Sequence, residues 1–149
     1  MLPDMSNKNV DIEAVAKLAL ADEKVMMDLL ANLVAKNEKI RFNSFNALMR
    51  LADKQPTILY PKWDAFVDLL VSKNSYHQYI AIFLIANLVQ IDLEKKFERI
   101  FDKYYNNISE KFDVEEINHD LKQLSSVEIG KVKKKHLYSS IDIRNIVKR

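Results

Sequence analysis

Residues 76–90 of this chain read YHQYIAIFLIANLVQ, and eight residues in a row, Tyr79 to Ala86, are apolar. Leu88 and Val89 follow after a single polar residue, Asn87. Crossing a bilayer takes about 20 such residues, so this run is too short to span one. Apolar side chains around most of a helix's circumference mean burial by neighbours on both sides. A buried strand is the rival reading, because an apolar run with β-branched residues suits either element. Its length favours the helix, and so does its place in an internal repeat. Such a helix is unstable alone, so flanking segments must cover it.

Helical periodicity runs through the chain on both sides. Val10 onward predicts a helix with Ile12, Val15, Ala16, Leu18 and Ala19 apolar and Asp11 as its N-cap. A second is expected over residues 22–36 with Val25, Met26, Leu29, Leu30, Leu33 and Val34 on one broad face. A third, near 38–52, carries Ile40, Phe42, Phe45, Leu48 and Leu51. Pro56 breaks the chain, and helix resumes over 58–72 with Trp63, Phe66, Val67, Leu69 and Leu70. Pro61 either opens that helix or kinks it after one turn, since proline lacks the backbone donor.

Sliding the chain on itself by 37 residues aligns two helical hairpins. Lys36-Asn37 falls on Lys73-Asn74, Phe42 on Tyr79, Phe45 on Ile82, Leu48 on Ile85 and Leu51 on Leu88. In the preceding helices Met26 meets Trp63, Leu29 meets Phe66, Leu30 meets Val67 and Leu33 meets Leu70. A third unit begins over 93–107, where Phe97, Ile100, Phe101 and Tyr104 recur at helical spacing. Its second helix should start near 111. Asp113 and Glu116 have capping-box spacing there, and Val114, Ile117, Leu121 and Leu124 form a narrow terminal stripe. The expected organisation is a loose N-terminus at 1–9, a repeat domain at 10–124 and a basic tail at 125–149.

Composition narrows function. Gly130 is the only glycine, so phosphate-cradling glycine loops are excluded and a hairpin-rich β fold is disfavoured. The absence of cysteine removes disulfides, thiol nucleophiles and cysteine–zinc sites. MLPDMSNKN lacks a signal-peptide pattern, and the expected location is the cytoplasm. Net charge is +2, but from Lys122 onward eight basic residues face two acidic ones. Lys131, Lys133, Lys134 and Lys135 are the candidate polyanion contacts, suited to weak, salt-dependent attachment to nucleic acid.

The paired helices and their period resemble the HEAT and armadillo repeats, helical hairpins that stack into a solenoid. ILYPKWDAFVDLL (58–70) is similar to a HEAT first helix, with Pro61 at its proline position. NEKIRFNSFNALMRL (37–51) is similar to the turn and second helix, Ile40-Arg41 matching the usual valine–arginine pair. Asn37 and Asn74 stand where that family prefers aspartate, and His77-Gln78 replaces the valine–arginine pair in the second unit. The resemblance implies an all-α solenoid of three or so hairpins, acting as a scaffold whose inner helices bind another protein.

Catalysis finds no support in the residue pattern. His77, His119 and His136 lack metal-ligand spacing, and no base accompanies the Ser and Thr hydroxyls. No cofactor, metal or small-molecule substrate is expected. Some HEAT-like proteins are DNA glycosylases, which makes a DNA-processing enzyme the third reading after scaffold and nucleic-acid binder. Against it, Trp63 aligns with Met26 on a packing face, with Asp64 solvated. The candidate partner-binding surface comes from the repeat. Asn43, Asn46 and Arg50 form a polar stripe expected to face solvent, and the offset places Ile80, Phe83 and Asn87 at the same positions. Ile80 and Phe83 would then be an apolar patch with a polar rim. A rotation of the helix, or cover by the tail, is the alternative.

Overall fold

The computed structural model describes residues 1–111, and every regular element among them is helical. In order these are α1 (Ile12–Ala21), α2 (Glu23–Asn32), α3 (Glu38–Lys54), α4 (Pro56–Leu59), a 3-10 turn (Tyr60–Lys62), α5 (Trp63–Leu70), α6 (Ser75–Leu88), a second 3-10 turn (Val89–Ile91) and α7 (Phe97–Lys111). The Asp113–Glu116 capping box, the stripe from Val114 to Leu124, His119, His136, the four tail lysines and the 124/125 boundary lie outside the described residues.

Short polar side chains start four of the helices, Asp11 as the sequence predicts. Asp11, Asp22, Asn37 and Asn74 each accept a backbone N–H from the first turn of α1, α2, α3 and α6, at 2.9–3.3 Å. Each such cap is worth about 1 kcal/mol. Pro61 acts as a kink: the helix expected over 58–72 is broken into α4 and α5 by the 3-10 turn that contains it. The first segment opens at Pro56, whose missing N–H would have been unpaired there anyway.

α6 is the buried helix. Ile80, Ala81, Ile82, Leu84, Ile85, Ala86, Asn87 and Leu88 are all buried. Cover comes from α3 on one flank, α5 beneath and α7 beyond. Most of the 37-residue equivalences hold in burial: Met26 and Trp63, Leu29 and Phe66, Leu33 and Leu70, Leu48 and Ile85, and Leu51 and Leu88 are all core, while Phe45 is half-buried where Ile82 is enclosed. Leu30 and Val67 are both half-buried against that core. The intervening turns also correspond. Ala35 N–H donates to Asn32 O at 3.1 Å, and Ser72 N–H donates to Leu69 O at 3.2 Å.

Polar groups tie α7 and the chain start to this core. Tyr104 Oη donates to Ile82 O at 2.8 Å inside the fold, and Asn107 Nδ2 donates to Leu70 O at 3.3 Å. Asp92 accepts the N–H groups of Lys96 (2.9 Å) and Phe97 (2.7 Å) at the start of α7, and also the Tyr60 hydroxyl. Residues 1–9 form no helix, yet they are not detached. Met5 is buried, and Asn43 Nδ2 donates to Met5 O (2.9 Å) and Asn7 O (3.1 Å).

Candidate functional site

α3 and α6 lie side by side and run in the same direction. Arg41 faces Tyr76 near their N-termini, Phe45 meets Phe83 further along, and Met49 meets Asn87 beyond that. Between the N-terminal halves is an open groove of about 380 Å³. Its α3 wall is Glu38, Arg41, Phe42 and Phe45, and its α6 wall is Tyr76, Tyr79, Ile80 and Phe83.

The floor is interlocked. Phe83 packs edge-on to Phe45, with ring centroids 6.1 Å apart, and tilts against Tyr79 at 5.7 Å. The rim is open: Phe42 is 61% exposed and Tyr76 65%. Arg41 is fixed between two partners, donating to Ala35 O at 3.0 Å and lying 4.7 Å from the Tyr76 ring centroid. A cation over a tyrosine face is attracted by the ring quadrupole, which also holds Tyr76 in place. With mostly apolar walls and one oriented guanidinium, the groove suits binding of an amphipathic ligand.

The stripe expected to face solvent does so in part: Arg50 is exposed, whereas Asn43 and Asn46 are half-buried. Asn43 holds the N-terminal segment, and Arg50 pairs with Glu13 of α1, which also binds Lys54 Nζ at 2.9 Å. Hydrogen bonding to Lys54, then the charges of Lys54 and Arg50, hold the Glu13 carboxyl below its usual range. Asn46 is half-buried. The same positions on α6 face α3. Ile80 is buried, Phe83 is half-buried, and Asn87, only 1% exposed, donates Nδ2 to Phe83 O at 3.1 Å with Met49 Sδ at 3.5 Å. Equivalent positions thus differ in burial: Arg50 stays exposed where Asn87 is buried, and Asn43 is half-buried where Ile80 is buried. Of the six, Ile80 and Phe83 come together at the groove; Asn87, Asn46 and Arg50 do not rim it.

Glu38, Arg41, Phe42, Phe45, Tyr76 and Tyr79 are the groove residues the sequence reading left out of the site. A signal existed: Phe42 and Tyr79 are 37 residues apart, and both remain exposed. An aromatic repeated at a position outside the core points to a surface feature of the repeat. Trp63 is buried and Asp64 exposed. His77 Nδ1 lies 3.0 Å from Ser72 Oγ, joining the first turn of α6 to the turn before it. Among the described residues no three His, Asp or Glu side chains gather as a metal site, and no helix is long and apolar enough to cross a membrane.

A second groove of about 430 Å³ lies between Thr57, Tyr60 and Pro61 on one side and Ile91, Leu93 and Glu94 on the other. It surrounds the structural Tyr60–Asp92 link, where Glu94 N–H also donates to Tyr60 Oη at 3.3 Å. Burial, with Asp92 adding to it, pushes the Tyr60 hydroxyl up to about 12.

No known protein family, curated protein or solved structure matches this chain.

Proposed function

We propose that the chain is a non-catalytic protein-interaction scaffold working in the cytoplasm. In this reading it is a short stack of HEAT-like helical pairs, with α2–α3 and α5–α6 as consecutive pairs and α7 opening a third. The α3–α6 groove receives a segment of the partner protein. The equivalent caps, turns and core positions of the two pairs support the stacked-repeat reading. One observation carries the binding reading: Phe42 and Tyr76 stand exposed on the two walls of one apolar groove. Covering them would contribute about 2–4 kcal/mol before the costs of association. Aromatic anchors in a groove are a common energetic centre of protein interfaces.

Phe42 is the residue to substitute, because Phe83 is wedged between Phe45 and Tyr79 and its loss would disturb packing. The full chain and its Phe42→Asp variant are immobilised and exposed to lysate of the source cells, with and without nuclease. Expected is a set of proteins retained by the parent and lost by the variant, with matching thermal melts. Identical retention by both, or retention that vanishes with nuclease alone, would refute the reading.

A further inference from the structure

The groove is open along its length, but its charge is gathered at one end. α3 and α6 run in the same direction, so both N-termini lie there. Lys36 and Lys73 immediately precede the two N-caps, and Lys39 sits in the first turn of α3, all three exposed. Arg41, two residues after Lys39 in the chain, is fixed over Tyr76. Glu38 is the one carboxylate on the walls. On the walls Arg41 and Glu38 offset one another, so the positive surplus at this end comes from the exposed Lys36, Lys39 and Lys73, and the partial positive charge of two helix N-termini adds to it. Further along, Phe45, Ile80 and Phe83 carry no charge, and the next cation of α3, Arg50, is held by Glu13.

Resting on the proposed binding role of this groove, we infer that its ligand is an acidic amphipathic peptide segment of a partner protein. Bulky apolar side chains of the segment enter between Phe42 and Tyr76. Its carboxylates lie toward Lys36, Lys39, Arg41 and Lys73. Anchors at helical spacing laid into an apolar groove are a recurring mode of peptide recognition, and opposite charge at the rim sets orientation and on-rate. A single-stranded nucleic acid fits less well. It needs free ring faces for its bases and cations along its whole track. Here Arg41 lies over Tyr76 and the cations occupy one end.

The test uses the full chain and labelled probes read by fluorescence anisotropy. One peptide of about 15 residues carries Leu and Phe on one helix face and Glu and Asp elsewhere. A second replaces the acids with Lys, a third replaces Leu and Phe with Ser, and a single-stranded RNA is the fourth probe. The acidic apolar peptide should bind at least about tenfold tighter than the other two peptides, and Lys39→Glu with Lys73→Glu should weaken it by a similar factor. Added salt should weaken it, and Phe42→Asp should abolish it. Equal binding of the lysine peptide, Phe42-dependent binding of the RNA, or no binding of the acidic peptide overturns the inference. If the lysine peptide binds and Phe42→Asp abolishes that, the charge assignment fails while the groove remains a docking site. If no probe depends on Phe42 and the lysate experiment is also blind to it, both readings fail.

Discussion

Arg41 and Gln78 make the same hydrogen bond in successive helical pairs. Arg41 Nη1 donates to Ala35 O at 3.0 Å, and Gln78 Nε2 donates to Ser72 O at 2.6 Å, each reaching six residues back across the turn. Donors and acceptors are both offset by the 37-residue period. The replacement of arginine by glutamine, which looks in the sequence like a departure from the repeat, therefore keeps its function. Either side chain reaches the turn carbonyl, and only Arg41 adds a charge to the groove.

Gln78→Leu should lower stability by about 1 kcal/mol, the usual net worth of such a bond, and Gln78→Arg should recover most of it. For a chain of this size that is a melting shift of about 2–4 °C. A Leu variant as stable as the parent would mean that the turn does not depend on this contact.

Leu51 and Leu88 are equivalent and both fully enclosed. Leu51→Ala and Leu88→Ala should each cost about 2–5 kcal/mol, since the removed side chain leaves a cavity in a shared core. Denaturant melts that move by less than about 1 kcal/mol for either would argue against one core running through both pairs.

Ser44 offers the opposite case. Its hydroxyl is buried with no hydrogen-bond partner, and its equivalent in the second pair is Ala81, also buried. Ser44→Ala should be neutral or stabilising, by up to about 2 kcal/mol, because a desolvated donor is removed. Clear destabilisation in urea titrations would show that the hydroxyl is satisfied in solution.

Alkaline pH should weaken the fold. The Tyr60 hydroxyl is raised from 10.0 to about 12, burial first and the Asp92 hydrogen bond second, and burial alone raises Tyr104. A group raised in the folded state loses its proton first from the unfolded chain. Its contribution is therefore complete below pH 10 and fades as pH rises through the folded value. Stability measured in urea should fall between pH 10 and 12. Tyr60→Phe should be less stable than the parent at pH 8, having lost Asp92, but should decline less steeply. An unchanged slope would remove Tyr60 from the account.

The cap at Asp11, the break at Pro56 and the buried, helical character of the 76–90 run were legible in the sequence. Each depends on residues within about one helical turn, or on a run with no polar face to expose. The beginning of α7 was less legible. It starts at Phe97 rather than near 93, because Asp92 caps it from a loop and is itself held by Tyr60, 32 residues earlier.

The sequence by itself determined the period, the turns and most of the core, since the cap and turn bonds close within a few residues and the apolar pattern repeats; Leu18, Val34 and Phe42 are apolar yet exposed. Only the tertiary structure decided what the remaining faces meet. Asn43 reads as solvent-facing until the N-terminal segment lies against α3, and Asn87 until α6 turns that edge to Met49, while Arg50 stays exposed in its pair with Glu13. Phe42 is apolar and in phase with the repeat, yet it stays exposed because the groove runs open beside it. A helix's periodicity fixes which residues share a face. Whether that face is seam, floor or rim depends on a neighbour brought there by the rest of the chain.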